Sequence, residues 1–78
     1  MIVGKVVGNL VSTKKNSKMI GCKFMRIELT DNTYIIAVDQ IGAGVGDEVI
    51  VTQGHNAIYA MNTDVPLPID AVIIGIID

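Results

Sequence analysis

Short apolar runs rich in β-branched residues alternate with turn-forming residues along the whole chain, which is an all-β pattern. The first strand is predicted from Ile2 to about Val11. Successive side chains on a strand point to opposite sides, so Ile2, Gly4, Val6, Gly8 and Leu10 share one face. A strand glycine marks a bend, a bulge or the close approach of another backbone, and two on that face predict a strongly curved strand, as a small closed barrel requires. Ser12 to Ile20, with its lysines, serines and asparagine, reads as an exposed loop.

A second strand is predicted from about Gly21 to Leu29 and a third from Tyr34 to Val38. The polar turn Thr30-Asp31-Asn32-Thr33 is too short for a parallel crossover, so this pair is a hairpin. Gly42, Gly44 and Gly46 then stand at alternate positions and predict a tight, shaped loop whose backbone angles other residues avoid. Asp47 and Glu48 lead into a fourth strand that ends at Gln53-Gly54. Asn56 is placed to cap one short helical turn over Ala57 to Met61, and Pro66 and Pro68 stiffen the connection from Asn62 to Pro68.

The last strand, Ile69 to Ile77, carries the most information. Ile69, Ala71, Ile73 and Ile77 fall on one face and Val72, Ile74 and Ile76 on the other. An antiparallel strand with one face to water keeps that face polar. Two apolar faces mean either that helices or loops cover the outer one or that a neighbouring subunit does. The chain has almost no helix to provide such cover, so Ile69, Ala71, Val72, Ile73, Ile74, Ile76 and Ile77 are the candidate subunit interface.

Composition bears on the same question. A chain of 78 residues makes one domain, residues 1–78. Domains this short lean on disulfides, metals or partner subunits. Cys22 is the only cysteine and His55 the only histidine, so an intrachain disulfide is impossible and a structural zinc site lacks ligands. Half the residues are hydrophobic and 18% are charged, below the roughly 25% usual for a soluble domain. Partner subunits are the remaining support. The net charge of −2 argues against a nucleic-acid partner, and Lys14, Lys15 and Lys18, interrupted by Asn16 and Ser17, read as a solvated turn. A five-stranded OB-like barrel that binds nucleic acid needs a basic groove with stacking aromatics; the only aromatics are Phe24, Tyr34 and Tyr59. No secretory leader and no apolar run near 18 residues is present, which predicts a cytoplasmic protein without a membrane partner.

Catalytic chemistry finds no constellation. No motif brings Cys22 or Ser12 to His55 as a nucleophile and base, and Asp39, Asp47, Glu48 and Asp70 read as turn and rim carboxylates. The glycine loop lacks the spacing and following helix of a dinucleotide site, and the lysine of a phosphate loop. Neither an enzyme nor a cofactor is expected.

Four blocks in order carry a family resemblance across the whole chain: Met1-Ile2-Val3-Gly4-Lys5-Val6-Val7-Gly8 with Val11-Ser12-Thr13-Lys14; Ile20-Gly21-Cys22-Lys23-Phe24-Met25; Val38-Asp39-Gln40-Ile41-Gly42-Ala43-Gly44-Val45-Gly46-Asp47-Glu48-Val49; and Pro68-Ile69-Asp70-Ala71-Val72-Ile73-Ile74-Gly75-Ile76-Ile77-Asp78. Together they resemble the vertex proteins of bacterial microcompartments, the ethanolamine-utilisation and carboxysome vertex family. The resemblance implies an OB-like barrel with at most one short helix, assembled as a cyclic homopentamer that closes the five-fold corners of a cytoplasmic shell tiled by hexameric shell proteins. It brings no catalytic residues. The alternative reading is a small oligomeric barrel that binds a ligand or protein outside any shell. Where the family commonly has small hydroxyl residues followed by alanine and arginine, this chain has His55-Asn56-Ala57-Ile58, which marks His55, Asn56 and Ile58 as a candidate shell-docking or pore region.

Overall fold

The structure is a computed structural model that describes residues 1–11, 17–19, 21–61 and 68–78, without the side chains of Lys18 and Asn56. Most of the predicted loop from Ser12 to Ile20, with Lys14 and Lys15, and most of the connection from Asn62 to Pro68, with Pro66, therefore lie outside the described residues. Five strands, β1 (Ile2–Leu10), β2 (Lys23–Leu29), β3 (Tyr34–Asp39), β4 (Glu48–Gln53) and β5 (Ala71–Ile77), close into a barrel in the order β1-β2-β3-β5-β4. All neighbours are antiparallel except β3 and β5, which pair in parallel through Val38–Val72 and Asp39–Ile73. The chain satisfies that parallel pairing by passing through β4 and a 3₁₀ helix, Gly54–Ala60, on the way. β4 pairs with both β1 and β5, so closure leaves none of the five strands as a free edge.

The alternation predicted for β1 is observed: Gly4 and Val6 are buried while Val3, Lys5 and Val7 face out. Gly4 is the tight point. A Cβ there would collide with Ile27 Cγ2 and come within 3.0 Å of the Glu28 carbonyl oxygen, so β1 and β2 approach closely only because this residue has no side chain. Beyond it the register shifts between Val6 and Gly8, and this bulge bends the strand. In the hairpin between β2 and β3, Asn32 takes the left-handed conformation (φ 65°). The Asp31 carboxylate accepts from the Thr33 hydroxyl at 2.6 Å and from the Thr33 N–H at 3.1 Å. The hydroxyl first, and then the backbone N–H, hold the Asp31 carboxyl below the usual carboxylate range.

Two apolar clusters share the strands. Inside the barrel, Val6, Met25, Ile27, Ala37, Ala43, Val49, Val51, Ala71 and Ile73 form the core. Outside the wall, Met19, Val38, Ala57, Met61 and Val72 form a second cluster, joined by Cys22, Phe24 and Ile69. The division follows from period two. Ala37 and Ala71 point in, so Val38 and Val72, which are paired across β3 and β5, point out. The 3₁₀ helix packs on β4 and β5 and covers that outward pair. Met19 reaches the same cluster from a single 3₁₀ turn, Ser17–Met19, inside what the sequence reads as a plain loop.

The helix differs from the sequence reading in its start. It runs over Gly54–Ala60 from an N-cap at Gln53 without a side-chain cap bond, so Asn56 lies within the helix and does not cap it. The Gly54 N–H instead donates to the Asp70 carbonyl at 2.7 Å, which fastens the first turn to the entrance of β5. A tertiary bond has replaced the local cap.

Two outcomes test this packing. Gly4→Ala should destabilise the protein by about 1–3 kcal/mol through overpacking, whereas Gly8→Ala, with nothing within 4 Å of its added carbon, should stay within about 0.5 kcal/mol; urea unfolding at one protein concentration reads both. Thr33→Val removes the larger cause of the Asp31 shift, so the Asp31 titration followed by NMR should move up in pH. The stability that Asp31 contributes is present above its unfolded pKa and is lost as pH falls through the folded one.

Candidate assembly surface

The residues predicted to form a subunit interface divide into two groups. Ala71, Val72 and Ile73 are only 1 to 4% exposed and are consumed by the chain's own two clusters. Ile69 is half-buried against the outer cluster. These four do not offer a free apolar face: Ala71 and Ile73 point into the barrel, and Val72 and Ile69 belong to the outer cluster that the 3₁₀ helix covers. Ile74, Ile76 and Ile77 remain 37 to 40% exposed. A register shift between Ile50 and Val51 leaves Ile74 as the extra residue of β5, so the simple two-face alternation read from the sequence breaks there.

Ile76 pairs with inward-facing Val49, and cross-strand register extends the rest of this patch over the outer wall. Val3, Ile50 and Gly75 stand side by side on β1, β4 and β5, and the Ile50 side chain lies over Gly75, its Cδ1 3.6 Å from where a Cβ would be. The next row is Lys5, Glu48 and Ile77. On the other side of the barrel, Arg26 stands opposite Ile36 and Glu28 opposite Tyr34, with the Tyr34 hydroxyl donating to Glu28 Oε2 at 3.3 Å. Ile36 and Tyr34 are both exposed. The patches around Val3, Tyr34 and Ile36 escape a single-strand reading because they are assembled across strands.

The loop between β3 and β4 is a stopper for the barrel. Asp39, only 6% exposed, accepts through Oδ1 from the N–H groups of Ile41 (3.0 Å) and Gly42 (3.2 Å). Its Oδ2 has no hydrogen-bond partner among the described residues and is compensated by Lys23, whose Nζ lies 3.5 Å away. The same Nζ donates to the Ala43 carbonyl at 3.2 Å. Ala43 is thereby held in the inner core. Asp47 secures the far side by accepting from the Gly44 N–H at 2.9 Å, while its carbonyl and the Gly46 N–H bond to Val6. Gly42 and Gly46 have positive φ (87° and 98°), but Gly44 does not, so two of the three glycines meet a conformational need. The sequence reads Asp39 as a turn or rim carboxylate, and it is a buried turn residue: an aspartate that accepts from the N–H groups two and three residues on forms an Asx turn.

Of the candidate docking or pore residues, His55 is exposed and Ile58 half-buried; the side chain of Asn56 lies outside the described residues. Tyr59 projects beside them, 76% exposed. Among the described residues, no three His, Cys, Asp or Glu side chains converge to hold a metal ion. What the geometry offers is a filled barrel with apolar patches on its outer wall, an arrangement suited to assembly.

The fold and its surfaces define a small closed all-β barrel with apolar patches on its outer wall. The chain belongs to the family described as ethanolamine utilisation protein EutN/carboxysome, which it matches over residues 1–78. It is 37% identical over 84 aligned residues to the carboxysome shell vertex protein CcmL of Gloeobacter violaceus, covering 100% of this chain and 83% of that protein. It is also 37% identical over 84 aligned residues to the bacterial microcompartment shell vertex protein GrpN of Rhodospirillum rubrum, covering 100% and 93%. The solved pentameric shell protein of the RMM microcompartment superposes with a TM-score of 0.91 at 37% identity, covering 100% of this chain and 91% of that one.

Asp39→Ala should destabilise the protein by about 1–3 kcal/mol, because it leaves the N–H groups of Ile41 and Gly42 without their acceptor. Asp39→Asn, which keeps an acceptor oxygen but not the charge facing Lys23, should recover part of that loss in urea unfolding at fixed protein concentration.

Proposed function

We propose that this chain is a structural subunit that assembles as a closed ring of five and caps the five-fold vertices of a bacterial microcompartment shell. The observation that carries the reading is the exposed end of β5, Ile74, Ile76 and Ile77, on a barrel of this family whose strands have no free edge to pair. Apolar wall of this kind is covered by another protein surface. Relatives bearing the names of shell vertex proteins, among them a pentameric one, supply the number five.

The work is geometric. A flat hexagonal lattice closes into a polyhedron only where pentagonal units replace hexagonal ones, and a rigid five-sided cap provides them. In this reading the partners are further copies of the chain and hexameric shell proteins, and the location is the shell in the cytoplasm. The 3₁₀ helix, with exposed His55 and half-buried Ile58 where the family commonly has hydroxyl residues and arginine, adapts the cap to its particular shell or lines the centre of the ring.

Native mass spectrometry of the purified protein should give five times the 8.3 kDa monomer mass, and co-expression with a hexameric shell protein should yield closed shells that retain the chain. A monomer or dimer at all concentrations, together with shells that close equally well without it, would overturn the proposal.

A further inference from the structure

The stopper loop is fastened to the barrel by side chains. Among the described residues, no backbone hydrogen bond joins residues 41–45 to a strand; the bonds to β1 come only at the far end, between Val6 and the Gly46–Asp47 pair. Three attachments hold the segment before that point. Asp39 Oδ1 accepts from the Ile41 and Gly42 N–H groups, Lys23 Nζ donates to the Ala43 carbonyl, and the Ala43 side chain sits in the inner core. Gly42 and Gly46, both at positive φ, bracket Ala43. Neither glycine has anything packed where a Cβ would stand, so both are free to turn as hinges.

Lys23 serves two of these attachments at once. Besides holding the Ala43 carbonyl, its Nζ lies 3.5 Å from Asp39 Oδ2, an oxygen with no hydrogen-bond donor among the described residues. The Asp39 side chain is fully buried while that of Lys23 is half in water. The other carboxylate of the loop, Asp47, accepts from the Gly44 N–H and ties the loop to itself. A buried carboxylate that loses its cation is left uncompensated, which is costly. Turning the Asp39 side chain into water relieves that cost, and it takes the acceptor away from Ile41 and Gly42 as it goes. With the Ala43 carbonyl released as well, only one methyl group still holds the segment in. The movement breaks no strand pairing, because β3 ends at Asp39 and β4 begins at Glu48.

We propose that residues 41–46 form a strap that opens as a unit about Gly42 and Gly46, and that the charge on Lys23 is its latch. With Lys23 charged the strap is shut and Ala43 closes the end of the barrel. Loss of that charge lifts the strap and lets water reach the barrel end, while the five-stranded ladder and the side chains behind Ala43 stay in place. A half-exposed surface group thus controls a buried one. The device lies within one chain and does not rest on the pentameric reading.

Two readouts of the native protein in low urea test it. The first is hydrogen exchange of the Ile41 and Gly42 N–H groups; the second is alkylation of the thiol introduced by Ala43→Cys, a buried position, in a Cys22→Ser background. Both should report one opening equilibrium that hardly depends on urea, because opening the strap exposes little surface, whereas exchange at Met25, Ile27, Val49 and Val51 should be slower and steeply dependent. Lys23→Met should speed both strap readouts by about tenfold or more, as loss of a hydrogen bond from a charged group implies. Lys23→Arg keeps the charge and should stay near the wild-type rates. Lys5→Met, which removes an exposed lysine set between Glu28 and Glu48, should leave both unchanged. Lys23→Gln replaces Lys23→Met should that variant fail to fold. Alkylation that follows the urea dependence of the strands would mean that Ala43 is released only by global unfolding and would overturn the strap. Strap readouts that Lys23→Met or Lys23→Gln leaves at wild-type rates would overturn the latch.

Discussion

The constraint on which this structure depends is the narrowness of a five-stranded barrel. Its interior accepts one side-chain row per strand and the inward-reaching Ala43, yet half of the chain is hydrophobic. Period two sends the remaining apolar residues to the outside, where each must be covered or remain in water. The 3₁₀ helix covers the first half of β5 and its neighbour on β3, and leaves the second half bare. Fold and assembly thus answer the same geometric problem, one part within the chain and the other between chains. Full burial of a Val or Ile side chain is worth about 1.5–3 kcal/mol, and Ile74, Ile76 and Ile77 are 37 to 40% exposed, so covering each of them adds roughly 0.5–1 kcal/mol.

The five strands, the hairpin and the shaped loop were legible because each rests on local chemistry. Alternation located β1, the Thr30-Asp31-Asn32-Thr33 turn fixed the hairpin, and Asn32 does take the conformation that such a turn requires. What was not legible depends on contacts between distant segments. Asn56 has the chemistry of a cap, but the helix starts earlier because the Gly54 N–H finds the Asp70 carbonyl. Likewise, Val72 and Ile74 look equivalent in the sequence. One is sealed beneath the helix and the other is displaced by a bulge, and neither fact is written in the neighbouring residues.

For the surface, the sequence distinguished the last strand but overstated how much of it is free. Ala71 and Ile73 are inner-core residues, and Val72 belongs to the outer cluster. Tyr34, Ile36 and Arg26 drew no notice as surface groups, since their strands read as ordinary half-buried hairpin arms. Only the register, which sets Arg26 beside Ile36 and Glu28 beside Tyr34, makes a surface of them. The family resemblance supplied the class of assembly without supplying these faces.

Ala43, fastened from outside by Asp39 and Lys23 while its methyl group enters the barrel, has a consequence for transport. With its lumen filled by side chains and its end stopped by this residue, a single subunit is an impermeable solid and not a conduit. In any ring built from such subunits, small molecules cross only along the central axis or through seams between chains. Permeability of the closed structure is therefore a property of how the copies meet, and it can change through residues at those boundaries without any alteration of the fold beneath them.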